Sequence, residues 1–86
     1  MSGKLIGEVT HFYARIVVAV VNLSGSIEIG DQVHFFGRNT DFHQQVQSMQ
    51  IEHQPVSEAG KGQEIAIEVE RRVRNHDKVY KLIDDG

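Results

Sequence analysis

The feature that most constrains this chain is the strict alternation in "EIAIEVE", Glu64 to Glu70. Ile65, Ile67 and Val69 recur at every second residue, while Glu64, Glu68 and Glu70 take the other side, which is the pattern of a half-buried β-strand. A helix competes on composition, because Ala66, Glu68 and Glu70 are helix formers and Ile65, Val69 and Val73 stand four apart. That helix would leave Ile67 in solvent and would have to begin among Gly60 and Gly62, so the strand is preferred.

The same period of two runs through most of the sequence. Lys4 to Thr10 reads as a first strand with Ile6 and Val9 inward. Ala14 to Leu23, "ARIVVAVVNL", is nearly continuous apolar and β-branched, as expected of a strand covered on both sides or bent. Ser24, Gly25 and Ser26 supply a turn, and Gly30 with Asp31 supplies another before "QVHFF", where Val33 and Phe35 alternate with His34 and Phe36. Gly37 to Asp41 reads as a loop. In "FHQQVQSMQIEH" the apolar parity switches between Val46 and Met49, which predicts a β-bulge near Gln47 and Ser48. Pro55 ends or flanks that strand, "SEAGKG" is a loop, "RNHD" a turn, and "KVYKL" a closing strand.

Six such strands with short turns predict an all-β fold, a single six-stranded closed β-barrel, since closure removes exposed sheet edges. Eighty-six residues allow one domain, 1–86, with the barrel over about residues 5–82 and a frayed tail at 84–86. Without cysteine, no disulfide or thiolate zinc site is available, so packing must supply the stability. The N-terminal stretch has no apolar run of signal-peptide length and nothing approaches a spanning helix, so a cytoplasmic protein without membrane association is expected. A net charge of −3 argues against a general nucleic-acid coat but leaves room for a local basic patch.

Three motifs stand in a recognisable order: "IEIGDQV" at Ile27 to Val33, "VQSMQI" at Val46 to Ile51 and "AGKGQEIAIEV" at Ala59 to Val69. Together they resemble the second domain of translation elongation factors, the β-barrel that follows the GTPase domain in elongation factor Tu. The likeness covers Leu5 to Leu82. It extends to short stand-alone proteins described as translation elongation factor-like, and to the C-terminal barrel of a collagenase-like peptidase family associated with RNA modification. The resemblance implies association with structured RNA, the ribosome or an RNA-modifying enzyme. The family's glycine- and arginine-containing first strand is replaced here by "IVVAVV" at Ile16 to Val21. No phosphate-cradling loop is present, so no nucleotide is expected on this chain alone.

For chemistry, His11, His34, His43, His53 and His76 have no compact metal-ligand spacing and read as surface or structural groups. Ser24, Ser26, Ser48 and Ser57 lie where turns, the bulge or loops explain them, and no carboxylate pair stands out from the solvated face of Glu64 to Glu70. The expectation is a non-enzymatic adaptor with no cofactor and no metal. Its candidate RNA-binding residues are Lys61, Arg71, Arg72, Arg74, Lys78 and Lys81, cations crowded enough to grip phosphates from one rim. The competing account makes them ordinary solvated charges paired with Glu64, Glu68 and Glu70. Tyr13, Phe36 and Tyr80 are candidates for base stacking or protein docking. The alternative function is a protein-interaction module without RNA contact, which docks on a larger enzyme or forms a homodimer through Ile16 to Val21 and Phe36.

Overall fold

The computed structural model describes residues 2–83, so the tail expected at 84–86 lies outside the described residues. In chain order the strands are β1 (Ser2–Tyr13), β2 (Val18–Leu23), β3 (Ile27–Glu28), β4 (Gln32–Gly37), β5 (Thr40–Gln45), β6 (Met49–Ile51), β7 (Gln54–Val56), β8 (Glu58–Ala59), β9 (Glu64–Glu68) and β10 (Lys78–Ile83). Eight of them form one antiparallel sheet in the order β5-β4-β10-β1-β2-β9-β6-β7, and β3 pairs with β8 in a separate ribbon. Among the described residues no helix is long and apolar enough to cross a membrane.

The all-β class is present, but the closed six-stranded barrel is corrected to an open eight-stranded sheet with a two-stranded ribbon. The ladder ends at β5 on one side and β7 on the other. The physical reason lies in Val46–Ser48, where the chain leaves the sheet: Val46 turns its backbone to Gly30 and Asp31, at 2.9 and 2.8 Å, instead of continuing a ladder. The sheet nevertheless curls, so that the Gln44 side chain bridges to the far end of β9. Its amide Nε2 donates to the Glu68 carbonyl at 3.0 Å, and its Oε1 accepts from the Glu70 N–H at 2.8 Å. A single side chain stands where closure would require a row of backbone bonds.

Alternation places the core on the concave side. Ile65 and Ile67 from β9, Ala19 and Val21 from β2, Val33 and Phe35 from β4 and Val79 from β10 are all essentially inaccessible to solvent. Each large side chain so buried contributes about 1.5–3 kcal/mol relative to exposure. Ile6 and Val9 lie three residues apart and would point to opposite faces of a regular strand, yet both are fully buried. A register shift between Leu5 and Gly7 reconciles them.

Other boundaries differ from the sequence reading for local reasons. Ala14 to Val17 form a turn rather than the first part of a strand, with Val17 at φ 55°. Thr40 and Asp41 belong to β5, leaving only Arg38 and Asn39 in the hairpin turn. The expected bulge near Gln47 and Ser48 is a break between β5 and β6; Val46 and Met49 are both buried across it, as the parity switch required. Pro55 sits in β7, at the sheet edge, where its missing N–H is harmless.

Candidate functional site

The six cations do not form one rim. On β10, Lys78 and Lys81 are three apart and so leave the strand on opposite sides. Lys78 Nζ donates to Glu8 Oε1 at 2.5 Å, and His76 Nδ1 lies 3.0 Å from the other oxygen of the same carboxylate. Lys78, through its hydrogen bond, and His76 hold the Glu8 carboxyl below its usual range. Lys81 Nζ is 3.2 Å from Ser26 Oγ and 3.8 Å from Asp31 Oδ2. Arg72 lies over the Phe12 ring at 5.9 Å, a cation–π contact, while Arg71 and Arg74 are exposed on the segment between β9 and β10. Lys61 is exposed in the turn before β9.

The aromatic candidates separate into two surfaces on the convex side. In the first, register places Leu5, Tyr80, His34 and His43 side by side across β1, β10, β4 and β5. His34 is the centre of this row: its ring lies 4.4 Å from His43, 5.5 Å from Phe36 and 6.3 Å from Tyr80. The Asp41 carboxylate, 2.6 Å from His34 Nε2, fixes that imidazole. Leu5 and Phe36 are each 47 % exposed. The surface is aromatic and ordered by backbone pairing, and among the described residues no strand packs over it.

The second surface is a groove of about 490 Å³ across β2, β9 and β6, and Tyr13 belongs to it. Here the row runs His11, Val20, Ala66, Gln50 and Pro55. Ala66 is the small member, and the dip lies above it. Tyr13, its ring 4.3 Å from that of His11, makes one wall; Ile51 and the turn Glu52–His53 make the other. Both turn residues are left-handed, at φ 49° and 67°, a conformation that ordinarily selects Asn or Gly.

Several of these residues escape sequence reasoning. Ala66 gave a signal, since it is the apolar exception on the glutamate face of β9. His34 and His43 are nine apart in sequence, and only the register of the β4–β5 hairpin makes them neighbours. Glu52 and His53 carry little signal, because Glu is not a turn former at positive φ and His is only moderately enriched there. Among the described residues no group of three or more His, Cys, Asp or Glu side chains is placed to hold a metal ion.

No model of a protein family matches the chain. The chain is 37 % identical over 78 residues to an uncharacterized protease of Methanocaldococcus jannaschii, covering 90 % of this chain and 19 % of that protein. It is 36 % identical over 79 residues to a collagenase of Porphyromonas gingivalis, covering 90 % of this chain and 22 % of the collagenase. The chain thus spans about a fifth of the length of these curated relatives. In structure it is similar to the C-terminal domain of a Geobacillus thermoleovorans protein assigned to the U32 peptidases, with a TM-score of 0.87, 22 % identity and 93 % of each chain covered. That likeness establishes the fold alone.

These similarities correct the sequence reading. The matched proteins are a protease and collagenases, which overturns the expectation of a translation factor-like, RNA-binding barrel of the elongation factor domain 2 kind. The part of the resemblance that stands is the one to the C-terminal domain of collagenase-like peptidases.

Proposed function

We propose that this chain is a non-catalytic docking module that seats on a larger polypeptide of the kind its relatives contain, through the aromatic face of β1, β10, β4 and β5. The observation that carries this reading is the aligned row Leu5, Tyr80, His34 and His43 with Phe36 beside it, on the side away from the core, where Leu5 and Phe36 are about half exposed. Aromatic side chains held rigid by a sheet lose little entropy on binding and dominate interface energetics. The similarities support it: a segment matching 90 % of this chain makes up about a fifth of a protease or collagenase, and so is attached there to a body several times its size. Lys78 and Lys81 are engaged with carboxylates of the chain itself, Glu8 and Asp31.

The test is photo-cross-linking in the source cells. Benzoylphenylalanine at position 36 should capture one polypeptide of the protease or collagenase type, identified by mass spectrometry, whereas the same group at position 61 should not. Equal yields from the two positions would overturn the assignment of the face. An adduct with a second copy of the chain would replace the larger body with self-association.

A further inference from the structure

The groove over Ala66 is chemically unlike the aromatic face, and docking through that face leaves it open. Its floor is apolar: Val20 and Ala66 lie opposite one another in register, and the Ile51 and Ile65 positions border them. Its rim is acidic. Glu52 and Glu64 both line the groove, and among the described residues His53 is the one basic side chain of the lining, with no lysine or arginine in it. Glu68 follows Glu64 and Ala66 on the same face of β9 and extends the negative side. Arg15, in the turn beyond Tyr13, lies outside the lining.

Size and shape point to a segment rather than a folded partner. A volume of about 490 Å³ accommodates one large side chain with the flanking backbone. The walls are fixed in place: Tyr13 packs on the His11 ring, and Glu52 and His53 are held at positive φ by the β6–β7 hairpin. Backbone held in sparsely populated conformations collects at ligand-contacting segments, and here it sets where the Glu52 carboxylate stands. An apolar floor bordered by carboxylates complements an apolar side chain with cations next to it. The same carboxylates repel phosphate backbones and anionic lipid headgroups.

We propose that this groove binds an extended polypeptide segment in which an apolar anchor residue is flanked by lysine or arginine. The anchor sits over Ala66 between Tyr13 and Ile51, and the flanking cations meet Glu52 and Glu64. This site is separate from the docking face, so each reading stands or falls alone.

The test uses the whole chain and two dye-labelled peptides, Gly-Arg-Leu-Lys-Gly and Gly-Glu-Leu-Glu-Gly, followed by fluorescence polarisation and amide NMR shifts. The basic peptide should bind and shift the amides of Val20, Gln50, Glu52 and Ala66, with the acidic peptide at least about tenfold weaker. The exposed double substitution E52Q/E64Q should cost about tenfold in affinity with the rest of the spectrum unchanged, and Ala66→Leu, which fills the dip, should abolish binding. No binding of the basic peptide at millimolar concentration, equal binding of the two peptides, or unchanged affinity in E52Q/E64Q would each overturn the proposal. Shifts confined to Leu5, His34 and Phe36 would also overturn it, by moving the peptide to the docking face while leaving that face's own role intact.

Discussion

The carboxylate of Asp77, in the turn before β10, accepts a hydrogen bond from the hydroxyl of Thr40, 37 residues earlier at the start of β5. Both side chains are buried, and the same Asp77 oxygen accepts the Arg74 N–H at 2.8 Å. Gly37 makes the arrangement feasible, because a Cβ there would run into the Asp77 carboxylate. The turn is also tied to β1, where Val9 N–H donates to the Asp77 carbonyl at 2.8 Å and Val9 C=O accepts from His76 at 2.7 Å. One acidic residue therefore joins the β4–β5 hairpin, the "RNHD" turn and β1.

Replacing Asp77 by alanine leaves the Thr40 hydroxyl and the Arg74 N–H without their acceptor. Orphaned buried donors cost about 1–3 kcal/mol each, so Asp77→Ala should lower stability by roughly 2–5 kcal/mol, whereas Thr40→Val should cost less. Urea unfolding of the two single variants and the double variant checks this. Strictly additive losses would mean that the two side chains act independently.

Gln44 supplies both a donor and an acceptor where the sheet fails to close. Gln44→Ala should destabilise the protein by about 1–3 kcal/mol and speed hydrogen exchange at the Glu70 amide, because that amide loses its acceptor. Gln44→Glu keeps an acceptor for Glu70 but removes the donor to the Glu68 carbonyl, so exchange at Glu70 should be slower in Gln44→Glu than in Gln44→Ala. The same exchange rate in both would show that the carbonyl of this side chain does not hold that amide.

How far the sequence revealed this molecule depends on the kind of signal. The alternation at Glu64 to Glu70 announced β9 correctly, because a residue period of two is a local property that tertiary context can hardly invert. "ARIVV" misled because its β-branched composition favours strand, while the turn that interrupts it needs Val17 at positive φ, which no apolar signal reports. Closure fails at Val46, whose backbone finds partners in Gly30 and Asp31, a matter of long-range pairing that no local pattern reports. The basic cluster is dense in sequence, but a strand sends Lys78 and Lys81 to opposite sides, so for these two nearness along the chain is not a shared surface. The aromatic row depends on register across four strands, and the groove depends on one alanine among glutamates.

Glu8 gives a pH dependence whose sign is fixed. Lys78, through its hydrogen bond, and His76 hold its folded pKa below the usual carboxylate range. Its contribution to stability is therefore complete above the unfolded-state pKa and is lost as pH falls through the lower folded value. The group is partly open to solvent, so the effect should be small and weakened by salt. Melting temperature measured from pH 2 to pH 6, roughly the carboxylate range, should fall less steeply in Glu8→Gln than in the unaltered protein. Parallel curves would show that the pair does not persist in solution.

The turn at Glu52 and His53 allows strain to be separated from charge. A non-glycine residue in the left-handed region costs about 1–2 kcal/mol, and glycine there gives back roughly 0.5–1 kcal/mol through the greater freedom of its unfolded chain. His53→Gly, at φ 67°, should therefore stabilise the protein by about 0.5–1 kcal/mol while leaving both groove carboxylates in place. Glu52→Gly, at φ 49°, should stabilise to a similar extent but remove one of them. Urea unfolding reads the stability, and the basic peptide reads the groove. If His53→Gly is more stable and still binds, the conformation of the hairpin is separable from the charge that recognises the segment. If His53→Gly is less stable, the His53 side chain contributes contacts that outweigh its backbone strain, and the hairpin is held by its side chains rather than in spite of them.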